Sequence, residues 1–286
     1  MSAGSVTGYR PSATLSLGTE IRRQASRRRT QLALGFLVLL PVIVLLAFEL
    51  GSGDNSDDGS GGPFDSLVRL ATSGGLNFAV FVVAVSSGFL LVVVVALFFG
   101  DTVASEASWG SLRYLLAIPV PRARLLGIKL LAALISTLVA IVLLAGVALG
   151  IGTLRYGWSP LGSTIAAAVS PAAGLLRLLG VLAYLAVTLL LVAGLAFLLS
   201  TLTDAALGAV GGAVLLWILS SILDQITALG SLRNVLPSHY SEAWQGLLST
   251  PIQADDLAKG AITAIVYAAL FGGLAFWRFT RKDITS

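Results

Sequence analysis

The sequence predicts an all-α membrane protein of about six transmembrane helices, with its N-terminus and C-terminus on the cytoplasmic side. Three observations predict it: an unusually apolar composition, six apolar stretches of spanning length, and an uneven placement of Lys and Arg. Of 286 residues, 56% are apolar, only 11% are charged, and mean hydropathy is +0.93. With its 31 glycines the apolar share reaches about two thirds, against roughly 45–50% for ordinary soluble domains. A water-soluble exterior needs more polar cover than this chain can supply, and lipid as solvent removes that need.

A helix needs about 20 apolar residues to cross the hydrocarbon, and only a helix satisfies its own backbone there. The stretches that qualify are about 31–50, 76–99, 127–152, 174–199, 205–223 and 260–279. Pro41 lies within the first and predicts a kink. The fourth and fifth are separated by residues 200–204 alone, a short hairpin. With the N-terminus inside, 13 of the 18 Lys and Arg fall on inner segments, whereas Glu49, Asp54, Asp57, Asp58 and Asp65 gather at the first outer loop. The positive-inside rule then puts both termini in the cytoplasm, which requires an even number of spans.

Outside the spans, residues 1–14 lack periodicity and read as a disordered leader. In 15–30, Leu17, Ile21 and Ala25 recur at four-residue spacing among Arg22, Arg23, Arg27, Arg28 and Arg29. Two readings fit: a basic amphipathic helix lying on the anionic inner leaflet, or a basic flank that orients the first span. Loop 51–63 is rich in Gly, Ser and Asp, without the spacing of a calcium loop. Segment 224–259 is long for coil, and its short apolar runs at 226–232 and 243–248 suggest re-entrant or interfacial helices on the outer side. His239, Tyr240 and Trp244 lie among them, the aromatics in the manner of interface anchors.

The inner loop after the second span carries most information. Over 101–118 Trp109, Leu112 and Leu116 form one helical stripe, and Glu106, Gly110 and Arg113 a neighbouring one. Asp101 suits a helix start, and Pro119 and Pro121 suit its end, followed by Arg122, Arg124 and Lys129 at headgroup level. A stiff amphipathic helix here can pass a partner's push to two spans. An ordinary solvated loop with a basic cluster fits the same composition.

At residue level, the run from Glu106 through Gly110-Ser111-Leu112, Pro119-Val120-Pro121-Arg122 and Lys129 resembles the signature of type-2 ABC exporter permeases. The close at 276–284, an apolar span running into a basic Phe-Trp-Arg-Phe-Thr-Arg-Lys-Asp tail, is similar to theirs. Pro121 departs from the family pattern, where a small polar residue is usual. The resemblance implies a non-catalytic permease subunit, multi-pass in a bacterial cytoplasmic membrane. Residues 101–118 would be the coupling helix and 15–30 the connecting helix beside it. Glu106, Trp109, Gly110, Leu112, Arg113, Pro119, Arg122 and Lys129 would meet a separate ATP-binding subunit. Two such subunits and two permeases, identical or not, would export a hydrophobic or amphipathic cargo. ATP and Mg would be used by the partner, with no cofactor bound by this chain.

What is missing is consistent with that division of labour. There is no P-loop and no H-E-x-x-H, no cysteine, and a single histidine, so nucleotide, protease and Cys or His metal chemistry have no residues to use here. Nothing suggests nucleic-acid binding. A secondary carrier or channel, or a membrane anchor or sensor of an ATPase, shares much of this layout. A carrier would want ionisable groups near the midplane, which the spans lack.

Overall fold

A computed structural model describes residues 16–51, 63–108, 121–162 and 168–281. Helices α1 (Leu17–Ala25), α2 (Arg28–Gly51), α3 (Pro63–Thr72), α4 (Gly75–Ser87), α5 (Leu90–Ser108), α6 (Arg122–Tyr156), α7 (Pro171–Leu202), α8 (Ala206–Asp224) and α9 (Asp255–Arg281) account for most of them. Short 3-10 turns at Thr227–Val235 and Ala243–Leu247 join α8 to α9. Among the described residues, five helices are long and apolar enough to cross a membrane, or six if the bent pair α4 and α5 is one span. The protein is therefore an all-helical, multi-pass membrane protein.

The expected spans coincide with α2, α6, α7, α8 and α9, but the structure corrects the second. Residues 76–99 are not one straight helix: α4 and α5 meet at Gly88 with a bend of 57°. Ser86 and Ser87 turn their hydroxyls back to the carbonyls of Val82 and Ala84 at 2.6 and 2.7 Å, a habit that competes with the helix ladder. The indole of Trp217 on α8 donates to the Gly88 carbonyl at 3.1 Å. A broken helix survives at membrane depth only when neighbours satisfy the freed backbone groups, and here Trp217 does so. Asp101 likewise does not start a helix, because α5 runs unbroken through it. The rest of the expected coupling helix, 109–118, and the leader 1–14 lie outside the described residues.

The bundle has two halves that share α5. In one, α6 packs on α4, α2 and α1; in the other, α7 packs on α9, α5 and α8. An aromatic chain crosses the second half, with Phe99 edge-on to Phe197 at 6.4 Å and Phe197 beside Phe276 at 6.2 Å. At the end where α7 turns into α8, Ser200 accepts the backbone N–H groups of Val103 and Ala104, both at 3.0 Å. There too Arg122 reaches the Thr280 carbonyl at 3.4 Å, so α1, the start of α6 and the end of α9 share one end of the bundle.

The opposite end is closed by segment 225–254, whose two short 3-10 helices fall on the apolar runs at 226–232 and 243–248. Tyr184 and Tyr267 donate to the carbonyls of Tyr240 and Val235 at 2.8 Å, and Arg177 to that of Leu248 at 3.0 Å. His239 pairs with Asp224 at 2.6 Å. Trp244, expected as an interface anchor, is instead buried in the core.

Close helix approach depends on glycine where α4 meets α6. A Cβ at Gly75 would fall 2.6 Å from the Thr153 backbone nitrogen, which cannot swing aside. Gly75→Val therefore separates α4 from α6 and destabilises the fold by about 1–3 kcal/mol, read as a lower melting temperature in detergent. Gly146→Ala, with open space at its Cβ, leaves it unchanged.

Candidate functional site

The chemistry-bearing side chains collect at the end where α1 lies across the roots of α5 and α6. Helix α1 starts at Ser16, whose side chain accepts the Thr19 N–H at 3.3 Å, and ends at Ser26, whose hydroxyl returns to the Arg22 carbonyl at 2.6 Å. Both termini are thus satisfied locally, which allows a helix of nine residues to persist.

The buried face of α1 is not the expected apolar stripe. Glu20 and Gln24, one turn apart, are turned into the protein, while Ala25 is exposed and Leu17 and Ile21 are half-buried. The reason is Lys129 on α6, whose side chain is only 2% exposed. Its ammonium contacts Glu20 at 2.9 Å and also Glu106 on α5. Arg23 closes the set, 2.6 Å from Glu106 and 3.6 Å from Glu20. Two carboxylates and two cations from three helices make a neutral quartet, the condition for charges to stay ionised away from water.

A second cluster lies one turn along. Asp101 takes Arg27 at 2.5 Å on one oxygen and Arg29 at 3.0 Å on the other. Arg27 also reaches the Asp101 carbonyl at 3.2 Å and the Ser105 hydroxyl at 3.1 Å. Arg23, Arg27 and Arg29 therefore pair with protein carboxylates, Arg29 while still exposed, and Arg22 and Arg28 are exposed as well.

Of the residues picked out as partner contacts, Glu106 and Lys129 are brought together, but inside. Glu106 is 1% exposed and engaged with Arg23 and Lys129, so it does not present its charge to a partner. Lys129 is not exposed at the start of its span, because two carboxylates hold it between the helices. Arg122 opens α6 beside Thr280. Trp109, Gly110, Leu112, Arg113 and Pro119 lie outside the described residues. Sequence reasoning missed Glu20, Gln24 and Ser105. One signal pointed to the first, since Glu20 is the only acid in residues 1–30.

At the other end of the bundle, a cavity of about 660 Å³ lies between α3, α4 and segment 242–253. Its walls are mainly apolar, including Leu67, Phe81, Val85 and Trp244, with Asn77 and Glu242 among the polar groups. Among the described residues no cluster of three or more His, Asp or Glu is placed to hold a metal.

These features define a multi-pass helical membrane protein whose N-terminal amphipathic helix is held to two span ends by buried charge. The chain belongs to the family described as "Protein of unknown function (DUF2705)", whose profile matches residues 38–285. No curated protein matches it.

Removing one member of a buried pair leaves its partner charged and unsatisfied, at a cost of about 3–5 kcal/mol. Lys129→Met should lower the melting temperature sharply, and Glu106→Gln should do so less, since Arg23 and Lys129 keep Glu20. The double variant should fall short of the sum by about 0.5–3 kcal/mol, the coupling expected of residues in one network. Thermal denaturation of the four proteins in one detergent measures it.

Proposed function

We propose that this chain is the membrane subunit of an ATP-driven exporter, worked by a separate ATP-binding subunit that docks on segment 109–121. In this reading the α1 end faces the cytoplasm of a bacterial cell, two permease copies face each other, and the cargo is hydrophobic or amphipathic. The observation that carries the reading is the charged quartet of buried Glu20, Glu106 and Lys129 with the partly exposed Arg23. It joins α1 to the two helices that flank segment 109–121. A push on that segment moves α1, α5 and α6 together, and Ser200 and Phe197 pass it to α7. The motif resemblance over 106–129 and the bias of basic residues toward this end support the same reading. The apolar cavity at the far end suits an apolar cargo. Glu106 and Lys129 act here within the lever; docking falls to Trp109, Gly110, Leu112, Arg113, Pro119 and Arg122.

A second reading follows from the same quartet. Buried ionisable groups in a membrane protein also mark proton relays, and Glu20, Lys129 and Glu106 would serve one in an ion-coupled carrier. The two readings part on energy source: ATP depletion stops the exporter, and a protonophore stops the carrier.

The chain has no cysteine, so single-cysteine variants report cleanly. A membrane-impermeant maleimide should label Gln253→Cys in intact cells and Ser286→Cys only after the membrane is opened. Arg113→Cys should crosslink to a co-expressed ATP-binding subunit, and Gln253→Cys should not. Labelling of Ser286→Cys from outside, or ATP-independent transport by the chain alone, would overturn the proposal.

A further inference from the structure

A second cavity, of about 400 Å³, opens beside the quartet, where the start of α2 faces the turn between α7 and α8. Arg27, Arg28 and Arg29 line it together with Asp101 and Ser105 of α5, and Ala206 and Leu207 line it from the start of α8. The lining residues thus include three arginines and one carboxylate, which Arg27 and Arg29 already pair, while most of the surface they expose to the cavity is apolar. Arg28 and Ala206 are the first residues of α2 and α8, both of spanning length. The cavity therefore stands at the level where two helices enter the bilayer, the level of lipid phosphates.

Three further properties select the ligand. Guanidinium groups match the oxygens of a phosphate in a fork that an ammonium lacks. Helix α8 starts without a side-chain cap, so the positive end of its dipole adds to the field. Leu32, one turn along α2 from Arg28, is 74% exposed and Leu207 is 72% exposed, an apolar track leading from the cavity into the hydrocarbon. Asp204, on the same turn, is exposed and outside the lining.

We propose that this cavity is a specific site for a phosphate-bearing anion, supplied by an anionic phospholipid whose chains follow Leu32 and Leu207. Basic pockets between spanning helices hold such headgroups by the same means. The bound phosphate would neutralise the arginines that Asp101 leaves in excess and so brace the α1 junction from outside. The site does not depend on the export reading.

The test uses the purified full-length chain in neutral detergent, titrated with phosphatidylglycerol, phosphatidylcholine or inorganic phosphate. Bound molecules are counted by native mass spectrometry, and melting temperature is followed in parallel. The wild-type chain should retain phosphatidylglycerol about fivefold or more over phosphatidylcholine, and melt higher with it. Arg28→Gln, which leaves both Asp101 pairs in place, should cut retention about fivefold, and Arg28→Lys should restore part of it. Leu207→Trp fills the cavity at an exposed position without changing charge, and should cut retention as well. Inorganic phosphate that displaces the lipid at equal concentration would identify free phosphate as the source and overturn the lipid assignment. Equal retention in wild type, Arg28→Gln and Leu207→Trp, or equal retention of both lipids, would overturn the site.

Discussion

Lys129 is an ammonium with almost no access to water, and the arrangement of this end of the protein follows from what it needs. A buried cation requires carboxylates at contact distance and acceptors for its three protons. Lys129 finds Glu106 on the neighbouring helix and Glu20 on a helix more than a hundred residues away in sequence. Two acids around one base would leave a net negative charge, and Arg23 removes it. Glu20, Glu106 and Lys129 are buried and depend on one another, while Arg23, partly open to water, balances the charge. The short α1, which has too few residues to be stable alone in water, is fixed in position by this demand.

The rest of the bundle carries that fixation outward. α5 is held to α7 by hydrogen bonds from two backbone amides to Ser200, and by the ring contact of Phe99 with Phe197. Phe276 extends the contact to α9. The far end of α7 is tied as well, through Tyr184 and Arg177 to segment 240–250. α7 is thus tied near its C-terminal end by Ser200 and along its first half by Arg177 and Tyr184, while its other contacts are mainly apolar. The bend at Gly88 lies between these anchored regions, with its freed carbonyl held by Trp217. The places where polar groups are spent are the two ends and the break, and these are where relative motion of helices would be controlled.

Much of this was legible in the sequence, and the remainder was hidden for identifiable reasons. Spans were readable because crossing lipid sets a length and a composition that α2, α6, α7, α8 and α9 meet. The break at Gly88 was not, because Ser-Ser-Gly within an apolar run is compatible with a straight membrane helix. What decides it is Trp217, 129 positions away. Asp101 looked like a helix start because acids favour that position, yet its charge answers Arg27 and Arg29. Lys129 looked like a headgroup lysine because it stands near the start of a span, and long basic side chains there usually reach back to water. Its burial is a tertiary fact that depends on Glu20, whose isolation among arginines was the one local clue. The segment between α8 and α9 showed its apolar runs, and short helices do form there, but not the hydrogen-bond partners that make them the tighter 3-10 kind.

A buried set of charges is a costly way to join three helices, because well-packed apolar side chains often hold as well or better. What distinguishes the charged junction is its response to partial disruption. An apolar contact loosens gradually as surfaces separate, whereas parting Lys129 from Glu20 and Glu106 strands a buried charge. The junction therefore tends to move as a unit or not at all. α1 is too short to hold its place alone, and the spacing of Glu20 and Arg23 fixes its rotation and register on α5 and α6. An all-or-none joint at the root of two spans is the mechanical property that a segment between those spans needs if force applied to it is to reach the bundle without being lost in slack.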